Sequence, residues 1–174
     1  MKSRKRLVFG VGLGLTLMGV LAYAATTTIL GVGTMPYSEL VNGPAEVTAR
    51  QFISMPGEVG GWHSHPGLVL SVVTSGTVTV EDGCGGEEAF SAGQAFEKIG
   101  GRVHRWKNLG TVPAVEFNTF IVPQGRPLAD ALPEQRCGPP LSVVECRRDG
   151  WRNFTHPLQF ANQGQCIEYV RRNH

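Results

Sequence analysis

Two histidines separated by one residue are the strongest chemical signal in this sequence. His63 and His65 stand in the stretch GGWHSHPG at residues 60–67. In a strand both side chains point to the same face, because side chains alternate with a period of two. Neutral imidazole is the commonest protein ligand for metals. The pair can therefore form two corners of a metal site, and the alternative is a surface pair in a polar loop that holds no metal.

The segments around these histidines have the pattern of an all-β protein. Hydrophobic residues make up 41% of the chain, and 23 glycines and 11 prolines favour a turn-rich fold. Short β-rich runs broken by glycine predict a sandwich or barrel, and no helix-periodic segment follows residue 24. The predicted strands are 46–55, 68–73, 77–80, two pieces around Gly93, 102–106 and 114–122.

Two motifs, which together span about 50 residues, resemble those of the cupin family. That family forms a small antiparallel β-barrel of jelly-roll type. The first motif, His-x-His followed by a glutamate and then a glycine, is met by His63, His65 and Gly76. Its glutamate position holds Val69. The second motif is matched by Gly93, Gly101, His104 and Asn108, with Ile99 where the family carries proline.

The resemblance implies a mononuclear metal site on His63, His65 and His104. Val69 stands where the family usually has an acidic metal ligand. Glu97 in GQAFEKIGG is the candidate to replace that ligand. It lies in an apolar strand segment, where a carboxylate either faces solvent or has an interior partner. We expect the Glu97 side chain to point inward, as a metal ligand and as the catalytic acid or base. Glu97 is then the only acidic residue expected in the interior. The ion is expected to be Fe, Mn or Zn.

The first 24 residues are predicted to be a signal peptide. A head of four basic residues precedes the apolar run 7–21, and Ala22-Tyr23-Ala24 fits a cleavage site. A retained membrane anchor is the alternative, although the run is short for a span. Cleavage takes the formal net charge from +2 to −2, and nothing in the composition indicates a nucleic-acid binder.

The four cysteines suit an exported protein, in the periplasm or outside the cell, with two structural disulfides. Spacing alone leaves three pairings open. The segment 146–166 resembles a cysteine-bracketed tail found at the end of many exported bacterial proteins. It is too small for its own core, so a disulfide should staple it. That reasoning pairs Cys146 with Cys166 and Cys84 with Cys137, and assigns Trp151, Phe154 and Phe160 to a small core in the tail.

The expected domains are a signal segment at 1–24, a cupin barrel at 40–123 and a proline-rich strap with an irregular stapled tail at 124–174. Two functions fit this organisation. The first is an enzyme, with a small-molecule dioxygenase preferred over hydrolase or decarboxylase chemistry. The second is a non-catalytic envelope protein that binds a metal or a small ligand. The ligand is expected to be anionic, since a divalent ion among neutral imidazoles keeps its positive charge. A homodimer is compatible with the sequence, which does not itself determine the oligomeric state.

Overall fold

The structure is a computed structural model, and it describes residues 25–173; the predicted signal segment 1–24 lies outside the described residues. Two five-stranded antiparallel sheets form a jelly-roll sandwich and do not close into one continuous barrel. This confirms the predicted all-β architecture. The strands are β1 (Thr26–Ser38), β2 (Gly43–Ser54), β3 (His63–Ser64), β4 (Leu68–Ser75), β5 (Thr77–Asp82), β6 (Glu87–Ser91), β7 (Ala95–Lys98), β8 (His104–Lys107), β9 (Ala114–Pro123) and β10 (Asp130–Ala131).

The first sheet has the strand order β1-β2-β9-β4-β7, and the second has the order β10-β3-β8-β5-β6. Both sheets extend beyond the expected barrel segment of 40–123, because β1 pairs with β2 and β10 pairs with β3. Within the described residues, no helix is long and apolar enough to cross a membrane.

Strand β9 shows how the interior is filled. Its residues alternate between buried and less buried positions, as period-two geometry requires. On the inward side, Phe120 and Val122 pack against Val69 of β4, with Leu128 beside them. Val69 is fully buried in this apolar cluster, as expected for a residue that replaces a polar ligand. An apolar side chain therefore occupies the position at which the resemblance implies a carboxylate ligand.

The C-terminal tail is more ordered than expected. It contains a short 3-10 helix, Gly150–Asn153, and an α-helix, α1 (Gln163–Asn173). The expectation of an irregular tail without helix was wrong. Helix α1 fully buries only Cys166 and Val170, with Ile167 and Tyr169 partly buried beside them, so its apolar residues give only a weak helical period.

The disulfide pairing in the described chain is the predicted one. Cys146 and Cys166 are bonded with Cα atoms 5.7 Å apart, and Cys84 is bonded to Cys137 at 4.4 Å. The first bond lies in a small core of its own, formed with Phe154, Phe160 and Val170 and flanked by Trp151. The second bond attaches the strap to the loop after β5, so this bond connects the tail to the sandwich, whereas the first closes the tail on itself.

Candidate metal centre

The three predicted histidines converge in the structure. His63 and His104 are direct partners in the pairing of β3 with β8, and His65 follows β3 immediately. Their ring centroids are 4.5 Å apart for His63 and His104 and 5.0 Å apart for each pair that includes His65. The alternative of a dispersed surface pair is therefore excluded, since His65 and His104 are buried and His63 is half-buried.

Each imidazole is held through its Nδ1 atom by a backbone carbonyl. His63 Nδ1 donates to Gly61 O at 2.9 Å, His65 Nδ1 to Leu128 O at 2.7 Å, and His104 Nδ1 to Arg102 O at 3.0 Å. A carbonyl can only accept, so Nδ1 carries the proton and Nε2 keeps its lone pair. This is the tautomer in which Nε2 can bind a metal while the other ring nitrogen is fixed by hydrogen bonding.

The donor atoms fit one metal ion. One potential ligand atom from each histidine lies within 4.8 Å of the others. Nitrogen ligands of zinc stand about 2.0–2.1 Å from the ion, so two donors of one ion are at most about 4.2 Å apart. An ion bound by all three rings would therefore draw the donor atoms slightly closer together than 4.8 Å. The buried Nε2 atoms of His65 and His104 have no hydrogen-bond partner among the described residues, an unfavourable state that a metal ion would relieve.

Burial keeps these imidazoles neutral. Desolvation lowers the pKa of His65 to about 3 and that of His104 to about 2, and it lowers the pKa of His63 as well. The positive charge of Lys98 lowers the pKa of all three rings as well. Neutral rings are the form that binds metal, so the site is ready for an ion across the neutral pH range.

The family-motif residues around the centre have structural roles. Gly101 donates its N–H to the carbonyl of His65 at 2.8 Å with a φ of 78°, a left-handed conformation that favours glycine. This bond ties the turn before His104 to the strand end that carries His65. Asn108 is fully buried and donates to Ser54 O and Val112 O at 2.8 and 3.0 Å, so it fixes two loops and does not approach a ligand.

The expected role of Glu97 is wrong. Its side chain is exposed, lies at a surface depression lined by Glu87 and Glu88, and is absent from the histidine group. The reason is the alternation along β7, in which Lys98 is the buried position and the neighbouring Glu97 must face outward. Among residues 25–173, the centre therefore has three imidazoles and no carboxylate.

The sequence reasoning missed a group of interior polar residues on the first sheet. We call it the polar cluster, and its members come from β2, β4, β7 and β9. Lys98 Nζ lies 3.6 Å from Glu116 Oε2 and donates to Ser71 Oγ at 3.2 Å, and Ser71 Oγ donates to Asn118 Oδ1 at 2.5 Å. The polar cluster consists of Arg50, Ser71, Lys98, Glu116 and Asn118.

Strand register places the polar cluster beside the histidines. Asn118 is paired with both Arg50 and Ser71, so these three side chains form one row across β2, β9 and β4. The Phe120 ring, one inward position further along β9, connects this row to the centre. Its centroid is 5.4 Å from that of His65 and 4.6 Å from Arg50 Cζ. The metal centre and the polar cluster thus share one interior.

Period-two alternation in AVEFNTFIV places Glu116 and Asn118 on the face of Phe120. That signal was present in the sequence, but both faces of the strand carry large apolar residues, including the outward Phe117. Nothing in the strand itself shows which face is interior. The expectation that Glu97 is the only interior acid was wrong for this reason, since Glu116 is only 1% exposed.

A family model described as "Cupin domain" matches residues 51–122. No curated protein matches the chain significantly.

Solved structures of three bacterial proteins resemble the chain. A cupin-like protein from Thermotoga maritima is 19% identical, with a TM-score of 0.48, over 62% of this chain and 75% of that one. A cupin-domain protein from Bordetella pertussis is 19% identical, with a TM-score of 0.43, over 56% and 92%. A conserved protein with a double-stranded β-helix domain from Klebsiella pneumoniae is 22% identical, with a TM-score of 0.45, over 51% and 71%. At these identities the likenesses carry no information on activity.

Proposed function

Residues 51–122 of this chain form a cupin domain, and from that premise we propose that the protein is a mononuclear metal enzyme acting on a small molecule, with an oxygen-dependent reaction as the preferred chemistry. One observation carries the proposal. Three imidazoles converge with Nδ1 held by carbonyls and with the buried Nε2 atoms of His65 and His104 unpaired.

A metal on three neutral imidazoles would have open coordination positions. Such an ion, with Fe(II) as the first candidate and Mn or Zn as others, would supply Lewis-acid or redox chemistry that side chains lack. The chain's own contribution is to orient the three rings and to limit access of water, because His65 and His104 are almost fully buried.

The polar cluster supports an enzyme over a simple metal carrier. Catalysis in a buried site usually needs an acid or base in addition to the metal ligands. Glu116 and Lys98 are such groups, and the charge of Lys98 acts on the histidines themselves. In this proposal Glu116 and Lys98 hold or transfer protons beside the substrate.

The second candidate is a non-catalytic protein that binds a metal or a small ligand. The ion pair of Lys98 with Glu116 favours it, because the Glu116 carboxylate is already engaged by the Lys98 ammonium at 3.6 Å. The two candidates differ in turnover.

Elemental analysis of protein purified without chelators or nickel resins tests the metal. We expect about one divalent ion per chain, as in other mononuclear sites. His65→Ala and His104→Ala should lose most of it. His156→Ala is the matched control, because His156 lies in the tail outside the histidine group. Equal metal content in all three variants would refute the proposed centre.

Oxygen uptake with panels of small organic acids separates the two candidate functions. In an enzyme, Glu116→Gln should keep the metal and lower the turnover by about 10²–10⁴-fold, the range for a lost acid or base. No oxygen uptake by the iron-loaded protein with any panel member would favour the binding protein.

Export is also a proposal, supported by two disulfides and no free cysteine in the described chain. Disulfides persist in oxidising compartments such as the periplasm. The intact mass of the mature protein should correspond to a chain that begins at Ala25 and gains no mass from a thiol reagent before reduction. A mass that includes Met1 would contradict cleavage.

A further inference from the structure

We propose that the polar cluster is a carboxylate-binding subsite, so that the ligand of the metal centre is a short organic dianion with one carboxylate at the metal and a second on Arg50 and Asn118. This inference deepens the proposed function and rests on it for the position of the first carboxylate. The second contact is argued from residues that do not ligate the metal.

The hydrogen bonds in the polar cluster fix the direction of the Asn118 amide. Lys98 can only donate, so Ser71 Oγ accepts from it and must direct its own proton to Asn118 Oδ1. The Nδ2 group of Asn118 therefore points elsewhere, and it is buried without a hydrogen-bond partner in the part of the chain that the structure describes. Since Asn118 is only 1% exposed, this is an unused donor inside the protein.

Arg50 supplies a second unused donor and the unbalanced charge. Lys98 is neutralised by Glu116, whereas Arg50 forms no salt bridge among residues 25–173 and its buried Nε has no hydrogen-bond partner. The guanidinium instead lies over Phe120 at 4.6 Å and over Phe52 at 5.2 Å. These rings hold the cation in place but cannot accept its hydrogen bonds.

The two unused donors match a carboxylate. Arg50 and Asn118 are paired across β2 and β9, so their side chains leave neighbouring points on one face. A carboxylate has two oxygens that can take one N–H from each, and bonds of this charged kind are about twice as strong as neutral ones. A doubly charged phosphate fits less well, because Glu116 belongs to the same cluster.

The ligand must be short. Phe120 contacts both the His65 ring and the Arg50 guanidinium, so the metal centre and the subsite are separated by little more than one aromatic ring. A three-carbon dicarboxylate such as malonate has the right charge and about the right span. Malonamide has nearly the same shape and no charge.

The test is isothermal titration of malonate and malonamide into zinc-loaded protein, with the zinc content measured for every sample. Arg50→Met should weaken malonate binding by at least about tenfold, the effect of one lost charged hydrogen bond, with the zinc content unchanged. Arg171→Met, an exposed arginine on α1, is the matched control and should bind malonate like the wild type. Malonamide should not bind measurably.

The variant Arg50→Lys distinguishes loss of the carboxylate contact from a folding defect, because it keeps the positive charge and loses the planar guanidinium. It should bind malonate more weakly than the wild type and, where Arg50→Met is folded, more tightly than that variant. The same ranking is expected, at lower affinity, in metal-free protein. Failure of zinc to bind would therefore refute the proposed function and leave this comparison standing. Equal malonate affinity in the Arg50 variants and the wild type, equal binding of malonamide, or no malonate binding to either form would overturn the subsite.

Discussion

The buried ion pair of Lys98 and Glu116 should be costly to break. Lys98 is 8% exposed and Glu116 is 1% exposed, with 3.6 Å between Nζ and Oε2. Removing one partner of such a pair leaves an uncompensated charge in the interior, which usually costs about 3–5 kcal/mol of unfolding free energy. We therefore expect Lys98→Met to lose about this amount, because no other cation forms a salt bridge with Glu116 among the described residues.

The reverse change should cost less. In Glu116→Gln the lone Lys98 keeps its hydrogen bond to Ser71 at 3.2 Å and its position 4.9 Å from the centroid of the Phe96 ring. We expect a loss of unfolding free energy of about 3 kcal/mol, the lower end of the range given for Lys98→Met. The double variant Lys98→Met with Glu116→Leu should be more stable than either single variant, because both desolvated charges are gone.

Urea unfolding of the metal-free protein at neutral pH, followed by tryptophan fluorescence with the disulfides intact, measures these differences. The matched control is Arg172→Met, which breaks an exposed pair with Glu168 on α1 and should cost less than about 1 kcal/mol. If Lys98→Met costs no more than this control, or if the double variant loses the sum of the single losses, the ion pair is solvated and the reasoning fails.

Three further predictions concern acid, Glu97 and the tail. Because burial lowers the pKa of His65 to about 3, the unfolded chain binds more protons than the folded one between about pH 6.5 and pH 3. The metal-free protein should then lose stability as the pH falls through this window, with a shallower decline of the thermal midpoint in His65→Phe; identical slopes would contradict the shift. Glu97→Gln should leave the metal content unchanged, because the side chain is exposed. A loss of metal in that variant would show that Glu97 is a metal ligand after all. Replacing Cys146 and Cys166 by serine should cost the tail about 3 kcal/mol, as expected for a loop of this size; proteolysis should then cut the tail first, while unchanged resistance would show that the staple is dispensable.

Much of the fold and the centre could be predicted from the sequence, because local rules were sufficient there. Period-two alternation in a strand puts His63 and His65 on related positions, and the resemblance to the cupin motifs implied that His104 joins them. Val69 is buried as its apolar side chain requires. The cysteine pairs followed from the small size of the tail, which has too few apolar residues to fold without a staple.

What only the tertiary structure decided is which face of each strand is the inside. Alternation says that Glu97 and Lys98 lie on opposite faces of β7, and that Glu116 and Asn118 share a face with Phe120. It does not say which face the second sheet covers. Strands β4 and β9 carry apolar residues on both sides, including the exposed Leu70 and Phe117, so hydrophobicity could not choose.

The physical reason is that burial of a charge depends on partners from other strands. Glu116 is stable inside because Lys98 of β7 reaches it across β4. The sequence of one strand does not show which residues of other strands will lie beside it. The sequence by itself determined the three imidazoles, and the packing of the two sheets determined the charged groups beside them.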